Sequence, residues 1–148
     1  MLTESRFRRV VFLSALYDLV VTLPFATPWS FAFAQSQLSQ LNQALGGVAL
    51  APFEVLPTLF ACLMGSLVVV WSVLRLSDPQ PRFGRFDAAG RVLFSTWMAW
   101  ALLHAELPLI WLFLVPESGF AIAQALPFRR TRREVGAGHG AGAITMRA

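Results

Sequence analysis

The sequence predicts an all-α fold: an antiparallel bundle of four transmembrane helices with both termini on the cytoplasmic side of a membrane. Three observations predict it. Hydrophobic residues make up 56% of the 148-residue chain and charged residues only 14%, against about 25% charged in a typical soluble domain. The stretch Pro52 to Leu76 carries no charge between Glu54 and Arg75, and a hydrocarbon core of ~30 Å takes roughly 20 such residues at ~1.5 Å rise each. The third observation is that the 12 basic residues are all arginines and fall on one side of a four-span arrangement. Arg6, Arg8 and Arg9 precede the first span. Arg75, Arg82, Arg85 and Arg91 flank the middle connector, and Arg129, Arg130, Arg132, Arg133 and Arg147 follow the last span. Basic residues in short loops set orientation, so this bias predicts cytoplasmic termini, multi-pass insertion and an inner-membrane location.

Taken in order, a short basic start, Met1 to Arg9, leads into an apolar run from Val10 to Ala34 that is interrupted by Asp18, Pro24 and Pro28. The basic start and the Ala32-Phe33-Ala34 triplet also fit a signal peptide cleaved after Ala34. A retained helix is favoured because the run is longer than the 7–15 residues of a signal core, and because Asp18 sits in its middle. From Gln35 to Ala51 there is no charge. Leu38, Leu41 and Leu45 recur at helical spacing and Gly46-Gly47 ends the pattern, which reads as a short amphipathic helix on the membrane surface or a polar loop. The second span follows. Ser77 to Asp87 holds two prolines and a glycine and reads as a connector. Ala88 to Ala105 is the third span, Glu106-Leu107-Pro108 a turn, and Leu109 to Leu126 the fourth span with Pro116 inside it. The spanning domain thus covers residues 1–127. Residues 128–148 open basic, become Gly/Ala-rich and read as a disordered cytoplasmic tail.

Ionisable groups inside a bilayer each need a reason, because even lenient insertion scales put their cost at ~2.5–3.5 kcal/mol. Asp18 lies ~12 Å in from Val10 and Glu117 ~14 Å in from Leu126. Both depths are measured from the same side, on helices that are neighbours in an up-down bundle. They are expected to point inward, within reach of each other or of Arg91. Ser14 and Thr22 share the Asp18 face, and Gln124 shares that of Glu117. Structural pairing and a functional pocket compete as explanations. At the outer end, Glu54, His104 and Glu106 form a second candidate cluster. A lone histidine without a second His or Cys makes it a weak metal motif, and interfacial groups meeting water explain it as well. Ala61 and Gly65 form a small-xxx-small contact for helix packing.

P-loop, HExxH, CxxC and G-x-S-x-G signatures are absent, and the arginines do not line one face as nucleic-acid binding needs. No metal or cofactor is expected, since only one histidine lies in a span. The single cysteine, Cys62, has no partner for an internal disulfide. The layout resembles the small DoxX-like four-helix membrane proteins through Gly65 in LMGSLVVVWSVLRL, the terminal Arg75 and the four compact spans. The paired acids are also similar to the sterol-isomerase type of four-helix fold, and that resemblance implies a hydrophobic amine or sterol ligand. On sequence alone the first expectation is a non-enzymatic accessory or assembly partner of another membrane protein. A hydrophobic-ligand binder or isomerase-like enzyme using Asp18 and Glu117 comes second, and a proton-coupled small transporter third.

Overall fold

The computed structural model of the chain describes residues 2–129. They form five helices: α1 Glu4–Thr22, α2 Pro28–Ala44, α3 Val55–Ser77, α4 Pro81–His104 and α5 Trp111–Ala125. Single 3-10 turns, Leu23–Phe25 and Pro108–Ile110, lie between α1 and α2 and before α5. Two-residue strands, β1 Leu2–Thr3 and β2 Phe128–Arg129, pair in parallel and tie the two ends of the described chain together. The segment Val55–Ser77 and the segment Pro108–Ala125 are each long and apolar enough to cross a membrane, and Glu4–Phe25 with Pro28–Ala44 qualifies as a bent pair. Helix α4, which carries Arg82, Arg85, Asp87 and Arg91, does not qualify alone.

The apolar run Val10 to Ala34, expected as one span, is broken. Pro24 opens the 3-10 turn and Pro28 opens α2, and the two helical segments meet at 102°. Each proline sits at a helix start, where its missing N–H costs nothing and where it cannot continue the preceding helix. Thr27 caps α2 by accepting from the Ser30 amide at 3.3 Å. The amphipathic helix expected from Gln35 is therefore the second half of a longer helix that begins at Pro28. Gln35, Ser39 and Asn42 share one face at i, i+4, i+7, and that face is turned to the chain itself. Gln35 Nε2 donates to the Ala51 carbonyl, Ser39 Oγ accepts from the Leu50 amide, and Asn42 Nδ2 donates to the Val48 and Glu106 carbonyls. Asn42 Oδ1 accepts from the Leu109 amide, so this fully buried side chain joins α2 to the turn before α5. Gly46, at φ 86°, makes the turn that ends the helix.

The segment Ser77 to Asp87, read as a connector, is mostly helix. Only Asp78 to Gln80 separates α3 from α4. Pro81 is again at the helix start. Gly84 lets α4 approach α1, since a Cβ there would stand 2.6 Å from Val11 Cγ2 and 2.9 Å from Phe7 Cε1. Phe128 and Arg129, placed in the tail from sequence, instead pair with Leu2 and Thr3, and the Phe128 ring packs 4.6 Å from that of Phe7. The rest of the expected tail, residues 130–148, lies outside the described residues.

The inward stripes of the helices share a composition. In α1 the buried residues are Phe7, Val11, Ser14, Ala15 and Asp18. In α3 they are Cys62, Gly65, Ser72 and Arg75, in α4 Gly84, Asp87, Ala88 and Arg91, and in α5 Glu117, Ala121 and Gln124. Each stripe keeps helical spacing, and each pairs small residues with polar ones. Large apolar side chains such as Leu59, Leu63, Val70 and Leu103 point outward and are exposed. A soluble domain distributes these types the other way. In hydrocarbon the outward apolar shell is the solvated face, and the interior is free to hold charge.

Candidate functional site

Four helices deliver charge to one level of the interior. Asp18 comes from the last turns of α1, Arg75 from the last turn of α3, Asp87 and Arg91 from the first half of α4, and Glu117 from the middle of α5. All five are buried, with Arg75 wholly so. Arg75 Nη2 lies 2.6 Å from Asp18 Oδ2 and its Nη1 2.6 Å from Asp87 Oδ2. Arg91 lies between three carboxylates: Nη2 is 2.6 Å from Asp18 Oδ2, Nε 3.0 Å from Asp87 Oδ2 and Nη1 2.7 Å from Glu117 Oε2. Short contacts of this kind are the charge-assisted class, and the planar guanidinium fork suits them where an ammonium does not.

Neutral groups complete the cluster. Gln124 Nε2 donates to Ser14 Oγ at 2.7 Å and to Asp87 Oδ2 at 2.8 Å. Ser14 Oγ also receives Arg75 Nη1 at 3.4 Å. Trp71 Nε1 donates to the other Asp87 oxygen at 3.1 Å, and its ring lies under the Arg75 guanidinium at 5.5 Å. Phe120 stands in the same relation to Arg91 at 5.0 Å. Burying two guanidinium groups and three carboxylates is tolerable only when such partners surround them.

The cluster forms one wall of a cavity of about 550 Å³ bounded by α1, α3, α4 and α5. Asp18, Asp87, Arg91 and Glu117 supply its charged end, and Val21, Leu67, Phe94, Met98 and Phe113 are among its apolar walls. The cavity exists because α3 and α4, although adjacent in sequence, do not pack closely; each packs instead on α1 or α5. Gly90 lines it too, and a Cβ there would meet nothing within 4 Å. The volume falls in the range of small-molecule sites, and an apolar chamber with a few convergent polar groups is their usual form.

The residues expected from depth come together. Asp18 and Glu117 share Arg91, which turns inward rather than toward the surface. Ser14 and Gln124 lie in the same network. Thr22 lines the cavity and donates back to the Asp18 carbonyl at 2.5 Å. Arg75, which the sequence offers as a flank of the middle connector, and Asp87, the last residue of that connector, are central members instead. The available signal was spacing: Ser72 and Arg75 at i, i+3, and Asp87 and Arg91 at i, i+4, each pair on one helix face. At the outer end, Glu54 and Glu106 are exposed. His104 is exposed, stacks on Trp100 and bonds through Nδ1 to the Trp100 carbonyl at 2.8 Å. Among the described residues no three His, Cys, Asp or Glu side chains are grouped to hold a metal ion. Gly65 packs against the Leu23–Phe25 turn, and Ala61 is half-buried one turn before it. Comparison with family models, with curated proteins and with solved structures returns no match.

Proposed function

We propose that this chain is a small integral membrane protein that binds a hydrophobic molecule with a polar head in the cavity between α3 and α4. One observation supports this reading above the others: a chamber of about 550 Å³ with apolar walls ends on the Asp18–Asp87–Arg91–Glu117 cluster. Ion pairs serving only as glue need no chamber beside them. The reading ranks ligand binding ahead of the accessory role that the sequence alone favours. The test follows from Gly90, whose Cβ position is open. Leucine there adds a side chain into the cavity and improves helix propensity by roughly 1 kcal/mol over glycine. Lipid extracts of the purified parent protein, examined by mass spectrometry, are expected to contain a bound hydrophobic species that Gly90→Leu lacks. Identical extracts from a folded Gly90→Leu variant overturn the proposal.

The accessory role draws support from one feature, a shallow groove on the outer side of α4 and α5 where Ser95, Ala99, Ser118 and Gly119 leave room. Small residues are what helix association in lipid uses.

In the proposed topology four segments cross the inner membrane as an antiparallel bundle with both termini inside. The crossing segments are Glu4–Phe25, α3, α4 and Pro108–Ala125, and α2 lies across the outer end. Reporter domains inserted after Gly46 and fused after Ala148 are expected to report outside and inside respectively. An outside signal from the second fusion removes this topology.

A further inference from the structure

We infer that the occupant of the cavity is a cationic amphiphile, a hydrocarbon body carrying one protonated amine. The inference rests on the ligand-binding reading above and adds the chemical class of the ligand. It comes from an inventory of donors and acceptors at the charged end. A guanidinium has five N–H groups, and all five of Arg75 have partners. Its Nε donates to the Trp71 carbonyl, Nη1 to Asp87 and Ser14, and Nη2 to Asp18 and Ser72. Arg91 has four occupied, through Asp87, Glu117, Asp18 and the Ser14 carbonyl. Among the described residues that line the cavity, one Nη1 hydrogen of Arg91 and the Tyr17 hydroxyl are the charged-end donors without a partner.

Acceptors are in surplus. Asp18 uses only Oδ2, for both arginines, and Glu117 uses only Oε2. Asp18 Oδ1 and Glu117 Oε1 make no hydrogen bond among the described residues. Neither is occluded, because the sole fully buried side-chain polar atom without a partner among those residues is Gln124 Oε1. Both side chains line the cavity, and each residue is more than nine-tenths buried. Charge points the same way as hydrogen bonding: two guanidinium groups against three carboxylates leave one negative charge over when all are ionised. A carboxylate or phosphate head meets acceptors and like charge. An N–H-bearing cation meets two free carboxylate oxygens and restores neutrality at the end of a mostly apolar chamber, where an unpaired charge is costly.

The experiment uses the full chain in nanodiscs of zwitterionic phosphatidylcholine and reads thermal unfolding. Dodecylamine, dodecyltrimethylammonium, dodecanol and dodecanoate are added at equal mole fractions of the bilayer. A molecule that binds only the folded state raises the unfolding temperature with concentration. Dodecylamine is expected to give the largest rise. The trimethylammonium compound, which has the charge but no N–H, gives less, and dodecanoate gives none. In Glu117→Gln, which keeps the side-chain shape and removes one charge, the amine-induced rise falls by half or more. In Gly90→Leu, whose unliganded stability verifies that it folds, the rise is lost. A rise with dodecanoate or dodecanol equal to that with dodecylamine overturns the amine assignment and leaves the binding site standing. An amine-induced rise undiminished in Gly90→Leu also overturns it. If none of the four compounds shifts the parent, the ligand-binding reading itself falls.

Discussion

Replacing Arg75 with methionine is expected to destabilise the protein more than any other single substitution within the bundle. The side chain is wholly buried and touches Asp18, Asp87, Ser14 and Ser72 at once. Methionine fills similar space but leaves Asp87 with only Arg91 as an ionic partner, and it leaves three carboxylates to one guanidinium. Removing one member of a buried ion pair costs about 3–5 kcal/mol, because the abandoned charge stays desolvated. In detergent, far-ultraviolet circular dichroism is expected to show a drop in Tm of roughly 10 °C or more for a domain of this size. Arg75→Lys keeps the charge but not the fork and falls between parent and methionine variant. Adding Asp18→Asn to Arg75→Met removes one stranded charge and recovers part of the loss. An unchanged Tm for Arg75→Met shows that the cluster contributes nothing to stability.

The second large effect is at Gly65. A Cβ there would stand 2.6 Å from the carbonyl carbon of Phe25 and 2.7 Å from its oxygen. These are backbone atoms of the turn that redirects the chain from α1 into α2, so they cannot rotate aside. Two forces oppose each other in Gly65→Ala: alanine favours the helix by about 1 kcal/mol, while overpacking costs ~1–3 kcal/mol. The clash is with backbone, so destabilisation is expected to win. Gly65→Leu is expected to separate α3 from the turn and prevent recovery of monodisperse protein. Gly90→Ala is the control, since it gains the same propensity with no atom within 4 Å and is expected to raise Tm slightly. A Gly65→Ala variant more stable than the parent removes the close-approach argument.

How far the sequence carried is clearest in particular elements. The uncharged run up to Arg75 appears as α3, Val55–Ser77, and the last apolar run as Pro108–Ala125. Both were legible because length and apolarity suffice to read them. The proline-bearing segments were harder. Pro24, Pro28 and Pro81 all stand at helix starts. Proline marks a boundary without saying whether a loop or a new helix follows. The run with Pro24 and Pro28 therefore reads as one span although it is bent, and the segment with Pro81 reads as a connector although it is mostly helix. In the site, Asp18 and Glu117 declared themselves by lying inside apolar runs. Arg75 and Asp87 did not, because they sit at the ends of such runs, where charge is expected anyway. Their spacing with Ser72 and Arg91 marks a shared helix face, and the tertiary fold, which brings that face onto Ser14 and Asp18, shows that it is the inward one. A pocket at the paired acids is one of the two expectations the sequence offers, but its apolar walls are not legible there. They line the space between α3 and α4, which meet through the Trp71 and Arg75 side chains rather than by close packing, and no local pattern encodes that spacing.

The pairing of charges also fixes the order in which the chain becomes electrically complete during synthesis. Asp18 emerges 57 residues before Arg75 and 73 before Arg91, its two ionic partners. The first helix is therefore made with its carboxylate unmatched, and it acquires a counter-charge only when the end of α3 appears. Asp87 and Arg91 arrive together at i, i+4, but Glu117 follows Arg91 by 26 residues and Gln124 follows Ser14 by 110. The last helix thus closes a circuit the first one opened.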